Sequence, residues 1–381
     1  MNEKVMKMPI MQFSSVALIL ITVMTTCFGC SDSPSLMPQP VPSISPPPTN
    51  SSSPTLPSTD STSAPEVLTL RQLAERKQIQ IGCSLNTRCF SYTEWKEIVG
   101  REFNAAHVYW TLRWRDIETQ RGHINFTQAD EQVQFARSKN MVVFGHPLVF
   151  TSYGDRPDWL AGSPLSRSDL TTILRNHITQ VMGHYKGQIN TWVVLEDAYL
   201  KQYNDDDFLY DIFGYDYIDL VFQIARETDP SASLLYNDND NHTSTGITTQ
   251  LTHQIIKRLK AKRLIDGVGL EMHLNAMQPY TKQDVIDTMK SYGVPVYITE
   301  IDVNLANVQG TQEARYAKQA TIYKEMLEAS LESGVCKSFS VWGIGDKYSW
   351  LRDSSSIADP TLFDDNLKPK PAYFALRDVL K

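Results

Sequence analysis

The sequence has little cysteine, no excess of basic residues and, beyond its first 30 residues, no long apolar run. Five Cys among 381 residues are too few for a disulfide scaffold. Lys and Arg number 36 against 43 Asp and Glu, so the clustered positive charge that nucleic-acid binding requires is missing. A membrane span needs roughly 20 apolar residues, which the later sequence does not offer. We therefore expect no nucleic acid partner and no membrane-spanning mature protein.

The first 30 residues have the pattern of a signal peptide. Lys4 and Lys7 precede an apolar stretch over 16–24, and a Gly29-Cys30 pair follows it. Such a pair after an apolar stretch resembles a bacterial lipoprotein signal with Cys30 as the lipidated residue. Cleavage and secretion without a lipid is the alternative, because Cys27 is atypical three positions before the lipidated Cys. Either way we predict export, as a cell-envelope lipoprotein or a secreted protein.

Residues 31–66 have the composition of a linker. Of the 35 residues from 31 to 65, 25 are Pro, Ser or Thr, including ten of the chain's 20 Pro. A segment of this kind cannot bury enough apolar area to offset its chain entropy. We predict a spacer over 31–66 and a folded domain over 67–381. In an oxidising compartment Cys83 and Cys89 of that domain could form a disulfide, or both could stay free thiols.

Short β-rich segments alternate with helical patterns through the folded domain. With 41% hydrophobic and 10% aromatic residues, the chain can build a large core. Eight strands are predicted at 79–83, 106–109, 141–146, 191–197, 233–238, 266–273, 295–302 and 338–345. Helical periodicity is clearest at 169–185, 217–227 and 313–332. Eight strand–helix units with nearly continuous apolar strands predict an α/β fold of the (β/α)8 TIM barrel type.

Polar residues collect where the predicted strands end, which is where a barrel of this type carries its chemistry. They are His146, Glu196, Asp197, Asn237, Asp238, His273, Glu300 and Asp302. Retaining glycoside hydrolysis needs a carboxylate nucleophile and a protonated carboxyl group about 5–5.5 Å apart. Glu300 with Asp197 or Glu196 could supply that pair. The alternative from spacing alone is that these acids are ion-paired residues on the barrel rim.

Several short motifs, in order, resemble those of glycoside hydrolase family 10, the endo-β-1,4-xylanases. They lie at 100–104 (Gly-Arg-Glu-Phe-Asn), 145–149 (Gly-His-Pro-Leu-Val), 185–188 (Tyr-Lys-Gly-Gln), 236–238 (Tyr-Asn-Asp), 266–270 (Asp-Gly-Val-Gly-Leu), 298–302 (Ile-Thr-Glu-Ile-Asp), 342–343 (Trp-Gly) and 369–373 (Pro-Lys-Pro-Ala-Tyr). The resemblance extends from about residue 68 to 381. It implies a TIM barrel and glycosidase activity on a β-1,4-linked polysaccharide.

The resemblance also implies roles for individual residues. Glu300 matches the nucleophile, His273 its hydrogen-bond partner, and Asp302 an acid that orients His273. A donor beside a carboxylate favours its ionised form, which a nucleophile requires. The other positions carried over are substrate-binding ones: His146, Asn237, Glu271, Arg113, Trp342 and Trp350. The two Trp match aromatic walls on which sugar rings stack, and core packing is their alternative.

This chain departs from the family at the acid/base motif. The family reads Trp-Asp-Val-Val-Asn-Glu-Ala, whereas residues 192–198 read Trp-Val-Val-Leu-Glu-Asp-Ala. A gapless register places Asp197 at the acid/base and Glu196 at the Asn that holds the sugar 2-hydroxyl. Sliding by one residue would make Glu196 the acid/base, but it would misplace both Trp192 and Ala198. We prefer the gapless register, although Asp has a shorter reach than Glu.

Further departures lie around the sugar-binding positions. Residues 109–114 read Tyr-Trp-Thr-Leu-Arg-Trp where the family has Glu-Asn-x-Met-Lys-Trp, so Arg113 replaces Lys. Phe150 replaces a Trp, and Glu271 replaces the Gln near the nucleophile. A third carboxylate beside Glu300 would raise the pKa of one of them by like-charge repulsion.

We therefore expect an exported, retaining endo-glycosidase of a plant or algal β-1,4-glycan, with xylan as the default substrate. The alternative is a barrel that binds carbohydrate with little turnover, or a glycosidase of altered specificity. No His and Cys cluster has metal-ligand spacing and no phosphate-binding loop is present, so we expect neither a metal nor an organic cofactor. We expect the chain to act as a monomer, and to meet a membrane only through a lipid anchor.

Overall fold

The computed structural model describes residues 68–161, 164–198, 207–352 and 358–381. The predicted signal peptide over 1–30, the lipidation site at Cys30 and the linker over 31–66 lie outside the described residues. Among the helices of the described part, none combines the length and apolar character needed to cross a membrane. The fold below is therefore that of the predicted domain over 67–381, starting at residue 68.

Eight parallel strands close into a barrel within the described residues. They are β1 (Gln80–Ser84), β2 (Ala105–Val108), β3 (Val142–Gly145), β4 (Thr191–Glu196), β5 (Ser233–Asn239), β6 (Gly267–Asn275), β7 (Val296–Asn304) and β8 (Cys336–Val341). Each strand pairs with the next, and β1 also pairs with β8 to complete the ring. A two-residue strand, Val149–Phe150, extends the pairing along the end of β4.

One helix packs outside the barrel after each strand. In the described part of the chain these eight helices are α1 (Thr93–Glu102), α2 (Thr127–Ser138), α3 (Arg167–His184), α4 (Asp216–Thr228), α5 (Thr249–Ala261), α6 (Lys282–Ser291), α7 (Gln312–Ser333) and α8 (Pro371–Leu380). Shorter pieces are an N-terminal helix, the single turns in the loops after β2 and β4, and three 3₁₀ turns. Their bounds are Leu70–Lys77, Trp114–Ile117, Tyr210–Phe213, Tyr153–Asp155, Asp158–Leu160 and Asp346–Tyr348.

Local sequence explains where the long helices begin and end. The Ser166 side chain accepts the Asp169 N–H at 3.1 Å, and the Asp169 carboxylate accepts the Ser166 N–H at 3.2 Å. This reciprocal capping box starts α3. Thr311 caps the start of helix α7, where its side chain accepts the Ala314 N–H. Gly334 caps the other end of α7, where φ is 69° and glycine avoids the left-handed strain.

The apolar core has two layers. The larger one lies between the barrel and its helices and includes fully buried aromatic side chains such as Trp95, Trp192 and Phe222. A small inner layer fills the barrel itself and consists of Ala105, Phe144, Val193 and Leu235, with Tyr297 packed against it. Because side chains fill the barrel interior, the barrel is a packed core and not a channel.

A buried ion pair fastens the loop after β8 to α8. Lys370 Nζ lies 2.9 Å from Asp346 Oδ2, and both side chains are almost fully buried. The other Asp346 oxygen accepts the Thr361 N–H at 2.8 Å. The Pro-Lys-Pro motif therefore has a structural task here: it holds the loop that carries Trp350 against the barrel.

The prediction of a (β/α)8 TIM barrel is confirmed. Each predicted strand coincides with an observed one, with end shifts of up to four residues: 191–197 became Thr191–Glu196, and 338–345 became Cys336–Val341. The predicted helices at 169–185, 217–227 and 313–332 correspond to α3, α4 and α7. Cys83 and Cys89 are buried free thiols, so the disulfide that the sequence left open is not formed.

Candidate active site

The polar residues predicted at the strand ends meet in one buried cluster at the carboxyl end of the barrel. Glu196 ends β4, Asn237 lies near the end of β5, and His146 directly follows β3. Glu271 lies on β6 and Glu300 on β7. All five side chains are nearly or fully buried. Ionisable groups at such depth need partners, and their contacts define what the cluster can do.

A β-bulge at Thr299 sets the register of the two central acids. Leu270 of β6 pairs with Ile298 of β7, but the next residue, Glu271, pairs with Glu300, so Thr299 is the extra residue. Its hydroxyl lies 3.2 Å from the Leu270 carbonyl oxygen and 2.6 Å from Asn237 Oδ1. The bulge thereby places Glu271 beside Glu300 and also fixes which way the Asn237 amide points.

Glu300 is held by an imidazole that also contacts a second acid. His273 Nε2 lies 3.2 Å from Glu300 Oε2, and His273 Nδ1 lies 3.1 Å from Asp302 Oδ1. The indole N–H of Trp350 donates to the other Asp302 oxygen at 2.8 Å. Asp302 therefore contacts the His273 imidazole through one oxygen and the Trp350 indole through the other; that it orients the imidazole stays a prediction.

The protonation states of His273, Glu300 and Asp302 depend on one another. Although burial lowers it, the pKa of His273 is raised to about 10, because Asp302 and Glu300 both stabilise the imidazolium. His273 is thus a cation at neutral pH. Burial raises the pKa of Glu300, and the contact with His273 opposes that rise. The imidazolium is the described group that most favours an ionised Glu300.

A second imidazole contacts Glu300 from the opposite side. His146 Nε2 lies 2.9 Å from Glu196 Oε2 and 3.3 Å from Glu300 Oε1. The Asn237 amide donates to Glu271 Oε1 at 2.6 Å, and its nitrogen lies 3.4 Å from Glu300 Oε1. Burial lowers the pKa of His146 well below its ordinary value, so this imidazole is neutral. Glu300 therefore lies between one charged and one neutral histidine.

Asp197 follows β4 in an unusual backbone conformation. Its φ is 49°, in the left-handed region that Asp and Asn tolerate better than most residues. Asn239 Nδ2 donates to Asp197 Oδ1 at 3.1 Å, and the Asp197 and Asp238 carboxyl groups are hydrogen-bonded to each other. Tyr236 OH in turn donates to Asp238 Oδ2 at 2.5 Å. These hydrogen bonds hold the Asp197 carboxyl group beside Asp238 and Asn239.

Burial and mutual repulsion favour protons on this part of the cluster. Burial raises the pKa of Glu196, Asp197, Asp238 and Glu271, and neighbouring carboxylates raise those of Glu196, Asp238 and Glu271 further. Oxygen atoms of Glu196, Asp197 and Glu271 lie within 4.8 Å of one another. That spacing could accommodate a cation, but shared protons relieve the same repulsion. The site can therefore offer both ionised and protonated carboxyl groups at neutral pH.

An open pocket adjoins this cluster on the side of the β1, β2 and β8 loops. Its lining residues are Asn86, Thr87, Arg88, Trp110, Arg113, Asp116, Gln128, Tyr348 and Trp350, around a volume of about 440 Å³. Arg113 lies 4.7 Å from the centre of the Trp110 ring and pairs with Asp116 at 2.6 Å and Asp155 at 3.2 Å. Aromatic faces with a few fixed polar groups are typical of small-molecule binding pockets.

The two predicted aromatic walls differ in exposure. Trp350 is 52% exposed and lies beside the pocket, whereas Trp342 is only 6% exposed. The Trp342 ring packs edge-on against Tyr109 at 4.9 Å and lies 5.6 Å from the His146 ring. Trp350 thus has the exposed ring face that stacking needs, whereas Trp342 packs behind the His146 imidazole.

The structure brings together every predicted site residue of the barrel, in two groups. Around Glu300 lie His146, Glu196, Asp197, Asn237, Glu271, His273 and Asp302; around the pocket lie Arg113 and Trp350, with Trp342 between them. Their roles stay predictions. Sequence analysis missed Asn239, which shares a strand face with Asn237 because side chains alternate along a strand. It also missed His107, a fully buried histidine in the middle of β2.

Comparison with known proteins gives consistent matches. The sequence model of glycosyl hydrolase family 10 matches residues 69–379. Endo-1,4-beta-xylanase B of Thermotoga neapolitana is 30% identical over 329 residues, which cover 84% of this chain and 94% of that protein. Endo-1,4-beta-xylanase B of Neocallimastix patriciarum is 31% identical over 313 residues, and the chain spans 34% of that longer protein. The crystal structure of xylanase 10B from Thermotoga petrophila RKU-1 in complex with xylobiose has a TM-score of 0.77 at 31% identity, over 84% of this chain and 98% of that one.

Proposed function

This chain belongs to glycosyl hydrolase family 10, and from that membership we propose that it hydrolyses β-1,4-linked xylan with retention of configuration. It is a xylanase-like glycoside hydrolase with a (β/α)8 barrel. The observation that carries the mechanistic part is the buried Glu300 beside the His273 imidazolium. A barrel that only binds sugar has no use for a carboxylate held in this way.

Glu300 is the proposed nucleophile. Its carboxylate attacks the anomeric carbon while the bond to the leaving oxygen breaks, which gives a glycosyl ester on Glu300. The His273 imidazolium at 3.2 Å keeps the carboxylate ionised before attack. The Asp302 contact at 3.1 Å fixes the direction of that imidazole.

Asp197 is the proposed acid/base. In the first step its carboxyl group gives a proton to the departing sugar oxygen. In the second step the carboxylate takes a proton from the water that attacks the anomeric carbon and releases Glu300. The raised pKa of Asp197, caused by burial, supports this role because a general acid must hold its proton near the working pH. Its hydrogen bond with Asp238 offers a second place to hold that proton.

Glu196 and Glu271 are proposed to bind the sugar at the reacting subsite. Both lie beside Glu300, and both are carboxyl groups where the family pattern has an amide. When protonated, each can donate a hydrogen bond to a sugar hydroxyl, and when ionised each can only accept one. Sugar binding at this subsite should therefore depend on the protonation of Glu196 and Glu271.

The proposed substrate is a xylan of plant or algal origin, reached outside the cell. Export rests on the signal-like segment over 1–30, and a lipid anchor on Cys30. The spacer over 31–66 would then hold the barrel away from the membrane surface.

Product analysis is the direct test. The purified barrel is incubated with xylans, β-1,4-glucans and β-1,4-mannans, and oligosaccharides released are identified with their anomeric configuration at early times. We expect xylo-oligosaccharides with β configuration. Release from glucan or mannan in preference to xylan would overturn the substrate, α products would overturn retention, and no release from any glycan would overturn the hydrolase function.

A further inference from the structure

A buried histidine that the mechanism above does not use lies directly behind the site. His107 is on β2, and its side chain is fully buried. Its ring stacks on Phe144 of the inner core layer, with centroids 4.3 Å apart and planes 12° from parallel. His107 Nδ1 lies 3.2 Å from His146 Nδ1, and His107 Nε2 lies 3.0 Å from Ser340 Oγ. Both ring nitrogens are therefore hydrogen-bonded, and neither faces the cleft directly.

The two imidazoles constrain each other's protons. Burial lowers the pKa of His107 to about 3 and that of His146 well below its ordinary value, so both rings are neutral at pH 7. A neutral imidazole has one N–H and one bare nitrogen. Of the two facing Nδ1 atoms, one must donate and the other accept. The tautomer of one ring therefore determines the tautomer of the other.

The carboxylates select between the two arrangements. If His146 donated through Nδ1, its bare Nε2 would face Glu300 Oε1 at 3.3 Å and repel the ionised nucleophile. The Asn237 amide nitrogen also lies 3.3 Å from His146 Nε2, but its two hydrogens have carboxylate acceptors in Glu271 Oε1 at 2.6 Å and Glu300 Oε1 at 3.4 Å. If His107 donates instead, His146 Nε2–H points at oxygens of both Glu196 and Glu300. His107 Nε2 is then bare and accepts the hydroxyl hydrogen of Ser340, which can rotate to suit.

We propose that His107 is a positioning residue that holds His146 in the tautomer with Nε2–H, so that His146 donates to Glu300 and Glu196. Its kinetic consequence rests on the proposed glycosidase function. Without the Nδ1–H of His107, His146 can turn its own N–H towards the barrel interior. The nucleophile then loses one of the donors that favour its ionised form.

Two substitutions of His107 separate its hydrogen-bonding role towards His146 from the loss of its side-chain volume. The amide nitrogen of Asn occupies roughly the place of imidazole Nδ1, and that of Gln roughly the place of Nε2. His107→Asn can therefore keep a donor to His146, whereas His107→Gln moves the donor towards Ser340. We expect His107→Gln to lower kcat by about tenfold or more with KM within about twofold, because positioning acts on the reacting groups. His107→Asn should retain kcat within about threefold.

The matched control is His177→Gln. His177 is also fully buried, stacks on Trp114 at 4.5 Å, and contacts Glu118 at 3.2 Å and the Leu148 carbonyl oxygen at 3.1 Å. It contacts none of the carboxyl groups around Glu300. Its loss should lower the melting temperature and leave kcat per folded molecule unchanged, which measures the generic cost of removing a buried histidine.

The decisive measurement is the ¹⁵N spectrum of ¹⁵N-histidine-labelled protein, with His146 assigned from its own variant. We expect a protonated Nε2 and a bare Nδ1 on His146 in the wild type and in His107→Asn, and a shift towards the other tautomer in His107→Gln. A wild-type His146 protonated at Nδ1 would overturn the proposal, as would unchanged tautomer and kcat in His107→Gln. If His107→Gln does not fold, the wild-type and Asn spectra decide. If no glycan is hydrolysed, the proposed function fails while the spectra still test the tautomer.

Discussion

Glu271 and Glu300 lie directly across from each other on neighbouring strands, and the bulge at Thr299 is what makes them neighbours. His273 lies within 4.8 Å of both acids. Two buried carboxylates around one imidazolium are not neutralised, so one of the acids should take up a proton more readily than in water. Glu271 is the better candidate, because Glu300 keeps the closer His273 contact.

The first prediction concerns Glu271 and stability. Burial raises the pKa of Glu271 above that of the unfolded chain, so its contribution to stability is lost as pH rises above the unfolded value near 4.3. Glu271→Gln keeps the acceptor for Asn237 without the charge. We expect a melting temperature about 2 °C or more above wild type at pH 8, and little difference at pH 4. The exposed Glu131→Gln is the control; equal shifts at both pH values would contradict the argument.

The second prediction concerns the nucleophile. Glu300→Gln keeps the shape of the side chain but removes its nucleophilic charge. We expect hydrolysis of an aryl β-xyloside to fall by about 10³-fold or more, which corresponds to about 4 kcal/mol of barrier. Circular dichroism should show the wild-type fold. Activity within about tenfold of wild type would remove Glu300 from this role. A mechanism-based fluoro-xyloside that labels Glu300, detected by mass spectrometry, is the independent check.

The third prediction separates Asp197 from Glu196 as the acid/base. Asp197→Asn is a clean probe, because Asn tolerates the positive φ of this position as well as Asp does. We expect xylan turnover to fall by about 100-fold. For an activated aryl glycoside, whose leaving group departs without a proton, kcat/KM reports the glycosylation step and should fall by less than about tenfold. Glu196→Gln should spare the aryl substrate more than Glu300→Gln does. A small effect of Asp197→Asn with collapse in Glu196→Gln would make Glu196 the acid/base.

The fourth prediction concerns Trp350, which has two separable contacts. Its exposed ring can stack on a sugar, and its N–H donates to Asp302 at 2.8 Å. Trp350→Ala removes both, and we expect KM for xylo-oligosaccharides to rise by about tenfold, the equivalent of about 1.4 kcal/mol. Trp350→Phe keeps a ring but no donor. It should recover most of the KM and still show a lower kcat, because Asp302 is less well oriented. Identical kinetics for both variants would argue against two roles.

The fifth prediction concerns the N-terminal segment. If Cys30 carries a lipid, the protein expressed in a bacterial host should partition with membranes, and Cys30→Ala should release it. Wild-type protein found wholly in the secreted fraction, without modification by mass spectrometry, would contradict the anchor. Deletion of residues 31–65 should leave the melting temperature of the barrel within about 1 °C, since a segment of this composition is not expected to bury apolar area.

Much of the fold and the membership of the site could be predicted from the sequence. Apolar strands of four to nine residues, several of which carry polar residues at or just after their ends, already indicate which end of a barrel carries the chemistry. The bulge at Thr299 could not be predicted, because the register of β6 and β7 is set by their pairing in the closed barrel. The left-handed turn at Asp197 was equally hidden, since Asp also occurs in ordinary strand ends.

His107 shows another limit of sequence reasoning. Four buried residues, Ala105 to Val108, read as a plain strand, and a lone histidine within it is usually a satisfied core residue. Only the closed barrel, in which β2 pairs with β3 and β1 lies between β2 and β8, brings His146 and Ser340 to its two nitrogens. Lys370 is the opposite case: its motif carries the family resemblance in the sequence, yet the structure shows it in a buried ion pair with Asp346.

A chain of hydrogen bonds behind the site lies against the inner core layer of Ala105, Phe144, Val193 and Leu235. From Glu196 the chain runs through His146 and His107 to Ser340 and Ser338, and both serines are fully buried. The apolar inner layer packs against His107 through Phe144, so we expect the hydrogens of this chain to exchange with solvent through the cleft. A glycan bound in the cleft should therefore slow deuterium uptake at the ring nitrogens of His107. The rate of that uptake would then report how long the glycan stays bound.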